Sequence, residues 1–225
     1  GWIRVLRDHP AYWIDGFVTD RDLEEIARLI NKKTVSSLPA SRNGNNKLLL
    51  HQFLEKEGVL TFDTCIAEGP DNIQECLEVL KSKGYQSATI KSQIGASGIG
   101  IKKVSVYEKA QVPGYLFYEG PCMVQGWLDA SVAGVCEIGY PSLQLLVGEQ
   151  SVSLYDLTDQ ILSSDSVHEG NVSPPPFLKD FPFIQDELLD LGDRVGTWLY
   201  KNHYRGTGSI DFHLIQRNNK LELRV

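Results

Sequence analysis

Lys91 stands four residues ahead of the first of three glycines, Gly95, Gly98 and Gly100, in the stretch ATIKSQIGASGIGIKKV at 88–104. Backbone N–H groups left accessible by glycine contact phosphate oxygens, and a lysine supplies a point charge to them. A Walker loop needs GxxxxGK[ST] followed by a helix, whereas these glycines run into the strand pattern VSVY. The Rossmann fingerprint GxGxxG also needs a helix next, and the spacing here is GxxGxG. Protein kinases do place a glycine lid between antiparallel strands. Their lysine lies on a later strand, however, and HRD and DFG segments follow, which this chain lacks. Two readings of the loop stay open: a lid over a nucleotide, and a plain glycine-rich hairpin with Lys91 exposed.

A second chemical group sits in GSIDF at 208–212. Strand alternation sends Ile210 and Phe212 to one side and Asp211 and His213 to the other. A carboxylate in so apolar a strand suits a cation such as Mg²⁺, which takes oxygen ligands from one or two carboxylates and from phosphates. The alternative is a surface Asp on an edge strand. His9, His51 and His203 have no carboxylate or thiol partner in sequence and read as packing or surface residues.

Several elements must position these groups. TDRDLEEIARLINK is a helix, with Leu23, Ile26, Leu29 and Ile30 on one stripe and Thr19 or Asp20 as N-cap. SSLPASRNGNN reads as a loop, and Asn46-Lys47 then opens the helix KLLLHQFLEKEG, which Gly58 closes. VLTFDTCIA is a strand and DNIQECLEVLKSKG an amphipathic helix. SATIK and GIKKVSVY are strands on either side of the glycines, and PCMVQGWLDA, PSLQLLV and QSVSLYDL follow as further strands. SSDSVHEGNVSPPP is irregular because its three prolines cannot join a helix or central strand. IQDELLDLGDRVGTWLYKNHY is a helix, and GSIDFHLIQRNNKLELRV a hairpin turning at Asn218-Asn219. The sum is an α+β fold with helices packed on largely antiparallel sheets.

The 225 residues, 42% of them hydrophobic, are enough for one large or two small domains. A net charge of −7 argues against nucleic acid or an anionic membrane surface as partner. No apolar run reaches the roughly 18 residues that span a bilayer, and the first residues lack a signal-peptide pattern. Cys65, Cys76, Cys122 and Cys136 form no CxxC pair and read as reduced thiols, so the expected compartment is the cytoplasm.

The order of these features is Lys91 before GASGIG, a strand ending in VQGWLDA, then YRGTGSIDF with a return strand. It resembles the ATP-grasp superfamily, and within it the carboxylate–amine ligases of the D-alanine–D-alanine ligase-like and peptide-ligase branches. The resemblance covers roughly residues 40–225 and implies two α+β subdomains clasping a nucleotide. Residues 1–45 would be the end or remnant of a preceding domain. Residues 46–225 would form the ATP-grasp domain, with a lid subdomain at about 60–124, a remainder at 125–225 and a C-terminal end open to truncation.

The resemblance also implies the site. Lys47 and Lys91 would be the two nucleotide-binding lysines, and Gly95, Ser97, Gly98 and Gly100 the lid over the β- and γ-phosphates. Gln125, Gly126, Trp127 and Leu128 would be the linker whose backbone meets adenine. The family usually has an acidic residue at position 125 or 126, so Asp129 becomes a candidate for the ribose. Asp211 would be the first metal carboxylate and Glu222, the only acidic residue of LELRV, the second. Arg205 would face phosphate or cap the helix before it. His168, Glu169 and Asn171 would line the substrate pocket or form a surface loop. The implied cofactors are ATP and Mg²⁺, and the implied substrates are a small carboxylate and an amine joined through an acyl phosphate. A homodimer or fusion to further domains is compatible with this. A non-catalytic nucleotide-binding module and a phosphotransferase of the same fold are the alternatives.

Overall fold

The computed structural model describes residues 1–225 except 17, 96–99 and 164–166. In chain order its helices are α1 (Trp2–Asp8), α2 (Arg21–Ile30), α3 (Leu38–Gly44), α4 (Lys47–Lys56), α5 (Ile73–Ser82) and α6 (Ile184–Lys201). The first strands are β1 (Trp13–Ile14), β2 (Lys33–Thr34), β3 (Thr64–Ala67), β4 (Ser87–Lys91), β5 (Ile101–Ser105) and β6 (Cys122–Gly126). They are followed by β7 (Val135–Gly139), β8 (Pro141–Val147), β9 (Val152–Leu162) and β10 (His168–Val172). The last are β11 (Gly206–Asp211), β12 (His213–Arg217) and β13 (Lys220–Arg224). The fold is α+β, as expected. Among the described residues no helix is long and apolar enough to cross a membrane.

The chain divides into two compact units. The first comprises Gly1–Asn45, Leu143–Asp156 and Phe183–Ile210; the second comprises Asn46–Ser142, Leu157–Pro182 and Asp211–Val225. In the first, α2 begins at the expected cap, with the Asp20 carboxylate accepting from Leu23 N–H at 2.8 Å. Helix α6 comes very close to its neighbours: a Cβ at Gly192 would lie 2.1 Å from Leu143, and one at Gly196 2.5 Å from Val152. The sequence expectation of a loop at 36–46 is corrected, because α3 forms within it. Ser37 caps it by accepting from Ala40 N–H at 3.3 Å, and Pro39 falls in the first turn, where its missing N–H costs nothing.

The second unit holds an antiparallel sheet of order β3-β6-β4-β5, with α5 supplying Ile73, Cys76, Leu77 and Leu80 to its core. Strand β6 is wholly buried, paired on one side with β3 and on the other with β4. A second antiparallel sheet has the order β13-β12-β7. Its hairpin turns at Asn218 and Asn219, both left-handed (φ 49° and 63°), the conformation a two-residue turn requires. A third sheet, of order β10-β9-β8-β11, has strands β8, β9 and β11 whose residues divide between the units. Strand β10 corrects the irregular reading of its segment: it pairs antiparallel with β9, and the prolines at 174–176 lie beyond its end.

Candidate active site

A cavity of about 400 Å³, within the range of small-molecule sites, lies in the second unit. One wall begins at the first turn of α4. Asn46 caps that helix through Oδ1, which accepts from Leu48 and Leu49 N–H at 3.0 Å each. The cap fixes the place of Lys47, and one turn on it brings His51 to the same wall. Strand β4 carries Thr89 and Lys91 into the cavity, two residues apart on one face.

Electrostatics mark this end of the cavity. Burial, and then the charge of Lys47, bring the Lys91 amine down to about 8. Burial also lowers Lys47, whose amine donates to the carbonyl oxygen of Gly95 at the root of the glycine loop. His51 is buried with its Nε2 3.4 Å from Glu55, one helical turn away. Its basicity is lowered by burial, partly restored by Glu55 and lowered again by Lys91. It is a packing residue, as read from the sequence, and also part of the cavity wall.

Gln125, Gly126, Trp127 and Leu128 form the next wall, at the end of β6. Gln125 is tied down by its Nε2–H, which donates to Thr64 Oγ1 at 3.0 Å. The amides of Gly126 and Trp127 already donate to the carbonyls of Asp63 and Ser87, each at 2.9 Å. Gly126 is a requirement of packing: a Cβ there would lie 2.5 Å from the Tyr85 ring, whose hydroxyl donates to Asp63 at 2.6 Å. Trp127 has the Lys103 amine 4.0 Å from its ring centroid. Met123, Leu54, Phe62 and Phe212 give the cavity its apolar lining.

Asp211 reaches the cavity at the end of β11, where its carboxylate accepts from the Ser142 hydroxyl at 2.8 Å. His213 opens β12 and lines the cavity as well, as does Phe212 between the two strands; the expected alternation is corrected, because the strand breaks at 212. The His213 ring stacks on Tyr140, and its Nε2 lies 3.5 Å from Glu137 without a hydrogen bond. Burial lowers the His213 pKa, with Glu137 opposing. Glu137 owes its place to a β-bulge: consecutive residues Leu214 and Ile215 pair with Gly139 and Glu137, leaving Ile138 as the extra residue. The Tyr140 hydroxyl donates to the Glu137 carboxylate.

Glu137 and His213 line the cavity and were not among the site residues expected from the sequence. The nearness of His213 to Asp211 in the sequence was a usable signal for the histidine. Nothing in the pattern VCEIG announces a bulge. His168 and Gln160 complete the lining from β10 and β9; Asn171 instead accepts from Thr158 at 3.2 Å, and Glu169 is exposed.

The remaining expected site residues lie outside this lining. Gly95 and Gly100 stand at the two ends of the loop, and Ser92 N–H donates to Gly100 O at 2.8 Å across its base. Gly100 has φ 77°, and a Cβ there would meet Ser92 Oγ at 2.1 Å, so only glycine fits. Ser97 and Gly98 fall outside the described residues. Asp129 is occupied by Ser131 N–H at 2.9 Å and by Lys103 at 3.8 Å. Glu222 is held by Arg224, with Nη2 at 2.5 Å, and does not join Asp211 in the cavity. Arg205 belongs to the first unit, where its guanidinium donates to the carbonyls of Tyr200 and Tyr204 and lies 4.2 Å from the Tyr200 ring centroid. That is the helix-capping alternative of its two readings.

The residues present fit Mg²⁺ in the limited way that phosphate-bound magnesium requires. Among the described residues no cluster of three acidic, histidine or cysteine side chains could cage a metal. Asp211 and Glu137 are the acidic side chains lining the cavity, and the Glu137 carboxylate already accepts from Tyr140, so phosphate oxygens would have to complete a ligand set begun by Asp211.

No family model matches the sequence. Over 221 residues the chain is 22% identical to the "[Butirosin acyl-carrier protein]--L-glutamate ligase" of Niallia circulans, covering 95% of this chain and 50% of that protein. The chain thus spans about half the length of the curated relative it matches. Biotin carboxylase from Campylobacter jejuni, solved as a β,γ-ATP complex, superposes with a TM-score of 0.68 at 16% identity, over 96% of this chain and 49% of that one. D-alanyl-alanine synthetase A from Vibrio cholerae superposes with a TM-score of 0.62 at 14% identity, over 96% and 67%. With these neighbours and the antiparallel sheets around its cavity, the chain has the fold of the ATP-grasp ligases.

Proposed function

We propose that this chain carries the nucleotide site of an ATP-dependent ligase that joins a carboxylate to an amine through an acyl phosphate. The observation that supports this best is the meeting of Lys47 and Lys91 in one cavity, where neither amine draws its basicity from a carboxylate partner. Two like charges held together in a buried place are costly unless a polyanion joins them. The triphosphate of ATP is such a polyanion, and the apolar lining by Leu54, Met123 and Phe212 suits a purine.

In this reading Lys47 and Lys91 neutralise phosphate oxygens, and Gln125–Leu128 border the base. Glu137, rather than Asp129, accepts from the ribose hydroxyls, because Glu137 lines the cavity and Asp129 does not. Asp211 would hold Mg²⁺, which supplies charge neutralisation on the phosphates. A carboxylate oxygen of the substrate attacks the γ-phosphorus and the bond to ADP breaks. The amine nitrogen then attacks the acyl carbon, phosphate leaves, and the amine gives up a proton. The protein's share is positioning, charge neutralisation and exclusion of water.

The name of the Niallia circulans relative makes L-glutamate the first carboxylate to offer, with small amines and a carrier-protein thiol as acceptors. The test is ADP release by the protein with MgATP, with and without the carboxylate and acceptor, followed by mass spectrometry of the product. ADP formed only when both are present, together with an amide or thioester product, supports the ligase. A phosphorylated acceptor makes the protein a phosphotransferase, and nucleotide binding with no ADP release across a broad panel makes it a binding module.

A further inference from the structure

Gln93 lies two residues after Lys91 and two before Gly95, half-buried and outside the cavity lining. It nevertheless joins three elements. Its main-chain carbonyl accepts from Lys47 N–H at 2.8 Å. Its side-chain Oε1 accepts from Asn46 Nδ2–H at 2.8 Å, and its Nε2–H donates to the Pro121 carbonyl at 3.2 Å, one residue before β6. The orientation of this chain of amides is determined. Asn46 Oδ1 is occupied by Leu48 and Leu49 N–H, so only its Nδ2 can face Gln93, which turns the glutamine Nε2 to Pro121.

The physical problem these bonds answer is repulsion. Lys47 enters from the first turn of α4 and Lys91 from the end of β4, and the two lysines are 44 positions apart in sequence. Two ammonium groups in one cavity favour any motion that parts them. A triphosphate gains most from lysines already fixed at its spacing, since ordering them on binding costs affinity.

We infer that Gln93 is a positioning residue: by bridging Asn46-Lys47 and Pro121, it keeps Lys47 beside Lys91 for joint contact with the phosphates of one nucleotide. The inference rests on the nucleotide reading above. Gln93 touches no ligand in it and acts through Lys47.

The test compares wild type with Gln93→Met, which removes both side-chain bonds and keeps the length of the side chain. Dissociation constants for MgATP and for adenosine are measured by calorimetry, together with the melting temperature of the protein alone. The expected result is a loss of about tenfold for MgATP, with adenosine within about twofold and melting nearly unchanged. In a Lys47→Met background the same substitution should cost less than about twofold more, because the residue it positions is gone.

Unchanged MgATP affinity, equal losses for MgATP and adenosine, or full additivity with Lys47→Met would each overturn the role. Gln93→Ala serves as the second variant. Loss of folding in both would also overturn it, making Gln93 a structural residue. Wild type that binds neither ligand removes the nucleotide reading itself, whereas wild type that binds MgATP alongside an unaffected Gln93→Met removes only the role of Gln93.

Discussion

The Lys91 amine lies 5.8 Å from the centroid of the Phe62 ring, in a buried part of the cavity where its pKa falls to about 8. An ammonium in such a place weakens the protein that contains it, because burial and a like charge both oppose it. Lys91→Met should therefore raise the melting midpoint, by an amount equivalent to about 1 kcal/mol. The same change should weaken MgATP at least about tenfold through the lost charge-assisted contact. Thermal melts and calorimetry on one preparation check both. A lower midpoint, or unaltered affinity, would place the phosphates elsewhere.

The same lysine sets a pH profile. Binding of MgATP needs the protonated amine, so affinity is fullest below about pH 7 and declines as pH rises through about 8. Between pH 7 and pH 9 the dissociation constant should grow about tenfold. Stability runs the other way. The folded pKa lies below the ordinary lysine value of 10.5, so the charged form costs stability at pH 8 and below, and that cost fades as pH rises toward 10.5. Calorimetry across this range, repeated with Lys91→Met, should show the affinity slope in wild type alone.

Asp211→Asn should leave the fold intact, since the Ser142 hydroxyl can still donate to the amide oxygen as it does to the carboxylate at 2.8 Å. The Mg²⁺ concentration needed for ADP release should rise by about 10- to 100-fold. A magnesium titration at fixed ATP reads this directly, and an unchanged titration would move the metal carboxylate to another residue.

Glu137→Gln should narrow the preference for ATP over 2′-deoxy-ATP, from about tenfold toward parity, because a carboxylate binds a hydroxyl more strongly than an amide does. Competition binding of the two nucleotides measures it. Equal discrimination in both proteins would return the ribose to Asp129 or to the backbone.

Gly126→Ala should destabilise the protein by about 1–3 kcal/mol, since the new methyl group would lie 2.5 Å from the Tyr85 ring and must displace it from Asp63. Urea melts read the loss. No change would mean that the end of β6 can shift freely.

Much of the fold was legible because local chemistry and tertiary context agreed. Asp20 and Asn46 cap the helices expected of them, and the paired asparagines at 218 and 219 form the turn their tolerance of positive φ suggests. Where reading failed, two local signals competed. In SSLPASRNGNN, loop-like composition masked a serine cap followed by proline in the first helical turn. In SSDSVHEGNVSPPP, the prolines that ruled out a strand lie just past the one that forms.

The candidate site divides in the same way. Lys47, Lys91, the 125–128 stretch and Asp211 were nameable, and all of them line one cavity. Glu137 was not, because its direction depends on a bulge created by pairing with residues almost eighty positions away. Arg205 and Glu222 have suitable chemistry and fitting neighbours in sequence. What they bond to is decided by nearby carbonyls and by Arg224, which spacing alone does not specify.

Met123, on the buried central strand of the cavity wall, is the only methionine in all 225 residues. Its ε-methyl group is therefore a built-in reporter. Protein grown with carbon-13 methyl-labelled methionine would give one methionine signal, assigned without any mutation. The arrival of a purine near Met123 would move that signal through its ring current, in a single titration that requires no turnover.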